Sequence, residues 1–169
     1  MVDDVLNPRF WKDRIEKYDR FSIQSIYEGV SHEQWDSWAA CHRSILNGLI
    51  QPNDSVLDVG CSYGRVLDLL PSNWKGKYVG IDVSPDYIEG ARLLHPNKEF
   101  YAADIRHWEY LGELFDWTIM LSFKYMIIRN SGQSLWDEIE HKVKAISNKL
   151  LFLEFDVTDT GTIEENIHG

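Results

Sequence analysis

The chain has 169 residues and a formal net charge of −10, with ordinary apolar and charged fractions. That length fits one domain with a self-sufficient core, and the acidic balance disfavours nucleic acid as a bulk partner. Its two cysteines, Cys41 and Cys61, stand in no disulfide-framework or zinc-like spacing, which points to free thiols in a reducing, cytoplasmic setting.

In chain order, "MVDDVLNPRF" is acidic and lacks a long apolar run, so no secretory signal is expected there, and no segment has the length of a membrane span. "NPRFWKDRIEKYDR" predicts a helix with Asn7 as N-cap and Pro8 at its first position. "SHEQW" predicts a second helix through a capping box of Ser31 and Gln34. Trp35, Trp38, His42, Ile45 or Leu46, and Leu49 trace one face. A short apolar strand over 55–59 follows, then a helix over 64–70 stopped by Pro71.

Strands are predicted at 77–83, 99–104, 116–123 and 149–157. Between them fall a helix capped by Ser84 and one over about 133–147 with Leu135, Ile139, Val143 and Ile146 as its stripe. Glu138–Lys142 and Glu140–Lys144 form i,i+4 pairs on its outer side. Strands alternate with helices and several are almost wholly apolar, as a parallel sheet covered on both faces requires. The fold class is therefore α/β, a doubly wound and mostly parallel sheet. One domain is expected, with an aromatic helical region over 1–44, an α/β core over 45–157 and a tail over 158–169.

"SVLDVGCSYGRVLDLL" (55–70) places Asp58 before Gly60 and Gly64 at the turn out of the first strand. Glycine there permits a tight turn and close approach of a ligand to the main chain. A dinucleotide fingerprint would read GxGxxG. Here the spacing is GxxxG, Ser62 takes the central place, and Asp58 would repel a pyrophosphate but suit a ligand with a positive amino group. A nicotinamide-dependent oxidoreductase is disfavoured on those grounds. Asp82 ends the second strand, where a carboxylate can accept both hydroxyls of a ribose. Asp104 ends the third, where with the Ile105 N–H it can read the amino edge of adenine. Each alone could be a cap or a loop acid; their placement at the ends of successive strands favours one nucleoside site.

These segments resemble the Rossmann-like S-adenosylmethionine (SAM)-dependent methyltransferases: "VLDVGCSYGR" their first motif, "YVGIDVS" the ribose motif, "EFYAADIR" the adenine motif and "LFDWTIMLS" the fourth strand. The resemblance spans roughly residues 45–157. It implies SAM as cofactor, with S-adenosylhomocysteine as product. It implies cofactor contacts from Asp58, Gly60, Cys61, Ser62, Gly64, Asp82, Val83, Asp104, Ile105 and Ser122. The Cys61 thiol itself reads as a small packing group.

Methyl transfer from a sulfonium needs alignment and exclusion of water, and a base only when the nucleophile starts protonated. No catalytic residue or metal site is singled out. Tyr125 and Tyr27 are candidate pocket-lining groups, and His42 reads as a core or interface histidine. No Asn/Asp-Pro-Pro-Tyr/Phe follows the fourth strand and no Pro-Cys dipeptide is present. With the charge, this favours a small-molecule acceptor over nucleic acid. A non-catalytic SAM-binding partner or degenerate subunit of the same fold is the alternative. The aromatic N-terminal region is expected to act as a lid. Past the fifth strand, "TDTGTIEENIHG" is too short and polar for the helix and antiparallel strand pair that end this fold elsewhere. The apolar strand 149–157 is therefore expected either to have its edge covered or to pair in a homodimer.

Overall fold

The computed structural model describes residues 4–154 and 161–165. Three helices come first: α1 (Pro8–Tyr18), α2 (Ile23–Ile26) and α3 (His32–Leu49). Asn7 caps α1 by accepting from the Arg9 N–H, and the Ser31–Gln34 capping box on α3 is complete in both directions. Then β1 (Val56–Val59), β2 (Tyr78–Asp82), α4 (Pro85–Leu94), β3 (Glu99–Ala102), β4 (Phe115–Leu121), α5 (Phe123–Ser131), α6 (Gln133–Lys144), β5 (Ser147–Leu153) and β6 (Thr162–Glu165) follow. Ser84 caps α4 through the Tyr87 N–H.

The sheet order is β3-β2-β1-β4-β5-β6, with every pair parallel except β5–β6. The order reverses between β1 and β4, so a cleft opens beyond their carboxyl ends, where open α/β sheets bind ligands. Alternate residues feed two cores. Val56, Ile119 and Leu151 pack with Leu46 of α3 and Ile88 of α4, whereas Leu57, Met120 and Phe152 pack with Trp136 and Ile139 of α6.

Four differences from the sequence reading matter. The predicted helix over 64–70 is a five-residue 3-10 turn, Arg65–Leu69, because Pro71 leaves no room for a longer α-helix. The fourth strand ends at Leu121, and Phe123 begins the unpredicted helix α5. Ser122 makes the break, adopting φ +53°. Glu138 lies 3.7 Å from Arg106, while the Glu140–Lys144 pair stands at 2.8 Å.

The fourth difference is at the sheet edge. β6 pairs antiparallel with β5 from Lys149↔Glu165 to Phe152↔Thr162, so the edge is covered by the chain's own later segment. Among the described residues no second antiparallel strand accompanies it. β6 is short and carries Glu164 and Glu165, the former 3.1 Å from Lys144 and the latter 3.3 Å from Lys149; a short, charged edge resists further pairing. Residues 155–157 of the predicted fifth strand lie outside the described residues.

Candidate cofactor cleft and acceptor pocket

The β1 turn is built on hydrogen bonds to β2. The Gly60 and Cys61 N–H groups both donate to the Ile81 carbonyl, at 2.8 and 3.1 Å. Gly60 sits at φ +77° and Gly64 at φ +89°, angles that cost a residue with a Cβ roughly 1–2 kcal/mol. The two glycines face different neighbours. A Cβ on Gly60 would lie 2.6 Å from the Phe123 ring, at the cleft; one on Gly64 would lie 2.9 Å from His95, at the back. Gly60 therefore shapes the cleft and Gly64 serves the packing behind it. Cys61 is buried, and its sulfur lies where a Gly80 Cβ would be 2.9 Å away. Burial pushes its thiol well above the ordinary range, in keeping with a packing role.

Asp82 occupies the end of β2 as predicted. One carboxylate oxygen accepts from the Ser62 N–H and the other from the Ser84 N–H, each at 2.9 Å. A carboxylate has about four acceptor sites, so two remain for a ligand. Burial raises the Asp82 carboxyl to about 6, against those two N–H bonds. Gly60, Ser62, Asp82, Val83 and Ile105 line one cavity at the β1–β4 switch.

Asp58 is not on that wall. It shares the strand parity of Val56, so its side chain turns to the α3 face, where it accepts from the Tyr78 hydroxyl at 2.7 Å. Its other oxygen is buried without a hydrogen-bond partner, and burial lifts its carboxyl to about 7, against the Tyr78 bond and the Arg65 charge. Asp104 is engaged locally. Both its oxygens accept from the Arg106 guanidinium, at 3.0 Å from Nε. Burial pulls that carboxyl upward, but the Arg106 bonds outweigh it and hold it below the ordinary range. Asp104 is absent from the cavity wall, which Ala103 and Ile105 supply on either side of it.

Arg65 is the cleft residue that sequence reasoning missed. It is 5 % exposed, donating from Nε to Ser62 Oγ at 3.2 Å and from Nη2 to the Tyr27 hydroxyl at 2.9 Å. Its guanidinium lies 4.7 Å from the Trp35 ring centroid and 4.9 Å from that of Tyr27. Nη1 is buried with no partner, and the residue lines the cavity. The signal was an arginine directly after Gly64, opposite an aromatic-rich N-terminal region able to shelter it.

The cavity holds only about 40 Å³, room for a water rather than a nucleoside. The Phe123 ring, Val5, Leu6 and Trp11 fill the rest. Trp11 is fixed by donating to the Val5 carbonyl at 2.8 Å.

A second pocket, about 250 Å³, adjoins the first and shares Val5, Trp11, Tyr27 and Met126 with it. Ser122 and Tyr125 fall here, as does Tyr27, with Arg14, Arg129 and Asn130. Tyr125 is exposed, and its hydroxyl accepts from Arg129 at 3.2 Å. His42 is fully buried, its Nε2 2.7 Å from the Glu154 carbonyl, in keeping with a core histidine.

Sheet order, the switch-point cleft and the acid at the end of β2 define a Rossmann-like α/β fold. Residues 56–145, more than half of the chain, match the family described as methyltransferase domain, and the chain belongs to that family. Over 57 residues it is 42 % identical to trans-aconitate 2-methyltransferase of Escherichia coli O157:H7 (strain EC4115 / EHEC), covering 33 % of this chain and 23 % of that protein. The match thus spans under a quarter of that relative's length. A crystal structure of a Pyrococcus horikoshii OT3 protein superposes with TM-score 0.60 at 20 % identity, covering 85 % of this chain and 64 % of that one. Magnesium protoporphyrin IX methyltransferase of Synechocystis PCC 6803, solved with bound SAM, superposes with TM-score 0.54 at 16 % identity, covering 83 % of this chain and 74 % of that one. At these identities the structures share the fold.

Proposed function

We propose that the chain is a SAM-dependent methyltransferase that transfers the methyl group in line to a small-molecule acceptor. The observation that carries this is the cavity at the β1–β4 switch, where Gly60, Ser62, Asp82, Val83 and Ile105 converge in a methyltransferase-domain chain. The residues present suit the group. Asp82 keeps acceptor sites for ribose hydroxyls, Val83 and Ile105 offer apolar walls to a base, and the buried Arg65 Nη1 suits a carboxylate at the amino-acid end. When bound, SAM supplies an electrophilic methyl group on a sulfonium.

The protein's part is to bind, align and exclude water. Val5, Leu6, Trp11 and Tyr27 close over the cleft, which supports a lid role for the region over 1–44. Phe123 must swing from Gly60 to admit the ligand. Asp58, behind the loop, supports it through Tyr78 rather than by contact. Cys41 and Cys61 are not joined in a disulfide, which supports a reducing, cytoplasmic setting, and among the described residues no helix is long and apolar enough to cross a membrane.

Calorimetric titration of the full chain with SAM, S-adenosylhomocysteine and NAD is the direct test. Saturable binding of the first two, lost in Asp82→Ala, is expected. A flat SAM titration of folded protein would refute the reading, and binding without S-adenosylhomocysteine release across an acceptor panel would favour the non-catalytic alternative.

A further inference from the structure

The second pocket has a chemistry of its own. Two guanidinium groups, Arg14 from α1 and Arg129 from α5, share it with Ser122, Tyr125 and Asn130. On a chain of net charge −10 this is a local inversion of sign, of the kind that concentrates an anion. Glu28 lies 3.8 Å from Arg14 Nη2 and is itself held by Lys17 at 2.6 Å.

Two buried donors at the pocket have no partner: Arg14 Nε and Ser122 Oγ, the serine only 1 % exposed. Ser122 is aimed there by an unusual backbone, φ +53°, between β4 and α5. Leaving a buried polar group unsatisfied is costly, so both groups point to an occupant that accepts hydrogen bonds.

The pocket also lacks a group that could take a proton near neutrality. Its described lining contains no histidine, cysteine, lysine, aspartate or glutamate. Tyr27 has its phenol pushed up by burial, against the Arg65 charge, and so stays a donor. An acceptor that must lose a proton has no base here, and a protonated amine would meet two positive charges.

We propose that this pocket binds the acceptor and that the acceptor is a small carboxylic acid in its ionised form, held by Arg14, Arg129 and Ser122. This rests on the methyltransferase reading above. The acceptor's carboxylate oxygen forms the new C–O bond to the methyl carbon as the C–S bond breaks. The C–S electron pair remains on sulfur, the products are a methyl ester and a neutral thioether, and no proton is transferred. Guanidinium groups recognise carboxylates through paired, charge-assisted bonds. A volume of about 250 Å³ confines the occupant to a small acid.

The test uses the full chain, with and without SAM. Without SAM, succinate, citrate and benzoate are titrated by saturation-transfer NMR into wild type and Arg129→Ala, the latter an exposed site with little bearing on folding. At least one acid is expected to bind, weakened about tenfold or more in the variant. With SAM, the same acid is expected to release S-adenosylhomocysteine, with its KM raised about tenfold in Arg129→Ala and SAM affinity unchanged. Acids that do not bind, or bind both proteins alike, would overturn the proposal, as would turnover of benzylamine in preference to every acid. A flat SAM titration would instead count against the methyltransferase reading, and the SAM-free acid titration would still decide the pocket.

Discussion

The sheet side of the cleft presents Asp82 from the end of β2, with Asp58 turned away to Tyr78 and Asp104 held by Arg106, while the helical side, from α1 and α5, carries Arg14 and Arg129. The sheet side is fixed by parallel pairing and backbone hydrogen bonds; the helical side is held by side-chain packing around Trp11, Tyr27 and Phe123. The first presents the remaining acceptor sites of Asp82 to hydroxyls, and the second donors to an anion. Such a division keeps two ligands of unlike charge from exchanging places. It also assigns opening to the helical side, since its side chains fill the cleft.

The largest test of that contrast is Phe123→Ala. The ring is 8 % exposed and lies against Gly60. Loss of a buried phenylalanine costs about 3–5 kcal/mol, so the urea midpoint is expected to fall. If the ring is a removable plug, SAM affinity should rise in the same variant, because binding no longer has to displace it. Calorimetry beside the urea melt separates the two effects. Loss of both stability and affinity would instead make Phe123 part of the ligand wall, and the assignment of opening to the helical side would fail.

The sheet side is tested by pH. Burial lifts the folded-state carboxyl of Asp58 from 3.8 to about 7. A raised carboxyl contributes stability that is full below its unfolded value and is lost as pH rises through the folded one. Wild type is therefore expected to lose a few kcal/mol relative to Asp58→Asn between about pH 4 and pH 8. The comparison of variants cancels the carboxyls held low elsewhere, such as Asp104. Parallel stability curves would mean that Asp58 is solvated, and the sheet side would be less rigid than its hydrogen bonds indicate.

What the sequence disclosed divides along the same line. β1, β2 and the Asp82 position could be read because they depend on short-range pattern: an apolar run, a glycine turn, an acid at a strand end. The direction of Asp58 was also legible in principle, since strand parity places it with Val56. The Asp104–Arg106 clasp lies two residues apart, and "ADIR" displayed both partners. Arg14 and Arg129 were not legible as a pair, because only the packing of α1 and α5 brings such distant positions to one pocket. β6 escaped for a different reason: "TIEE" carries one large apolar residue, and its strand character comes from the β5 edge it covers.

The smallest test concerns the tie between the two sides. Arg20, just past α1, lies 2.8 Å from Glu89 on α4, and Glu89 is largely exposed. An exposed pair of this kind contributes about 0.2–1 kcal/mol, so Arg20→Ala is expected to shift the urea midpoint slightly. Its use is kinetic. If α1 moves to admit the nucleoside, loosening its tether should speed SAM association in stopped-flow tryptophan fluorescence, with a Trp11→Phe control to assign the share of the signal from Trp11, one of seven tryptophans. The change should shrink at high salt, where the pair is already screened. An unchanged association rate would mean that Phe123 and α5 alone gate the cleft, and that α1 is a fixed wall.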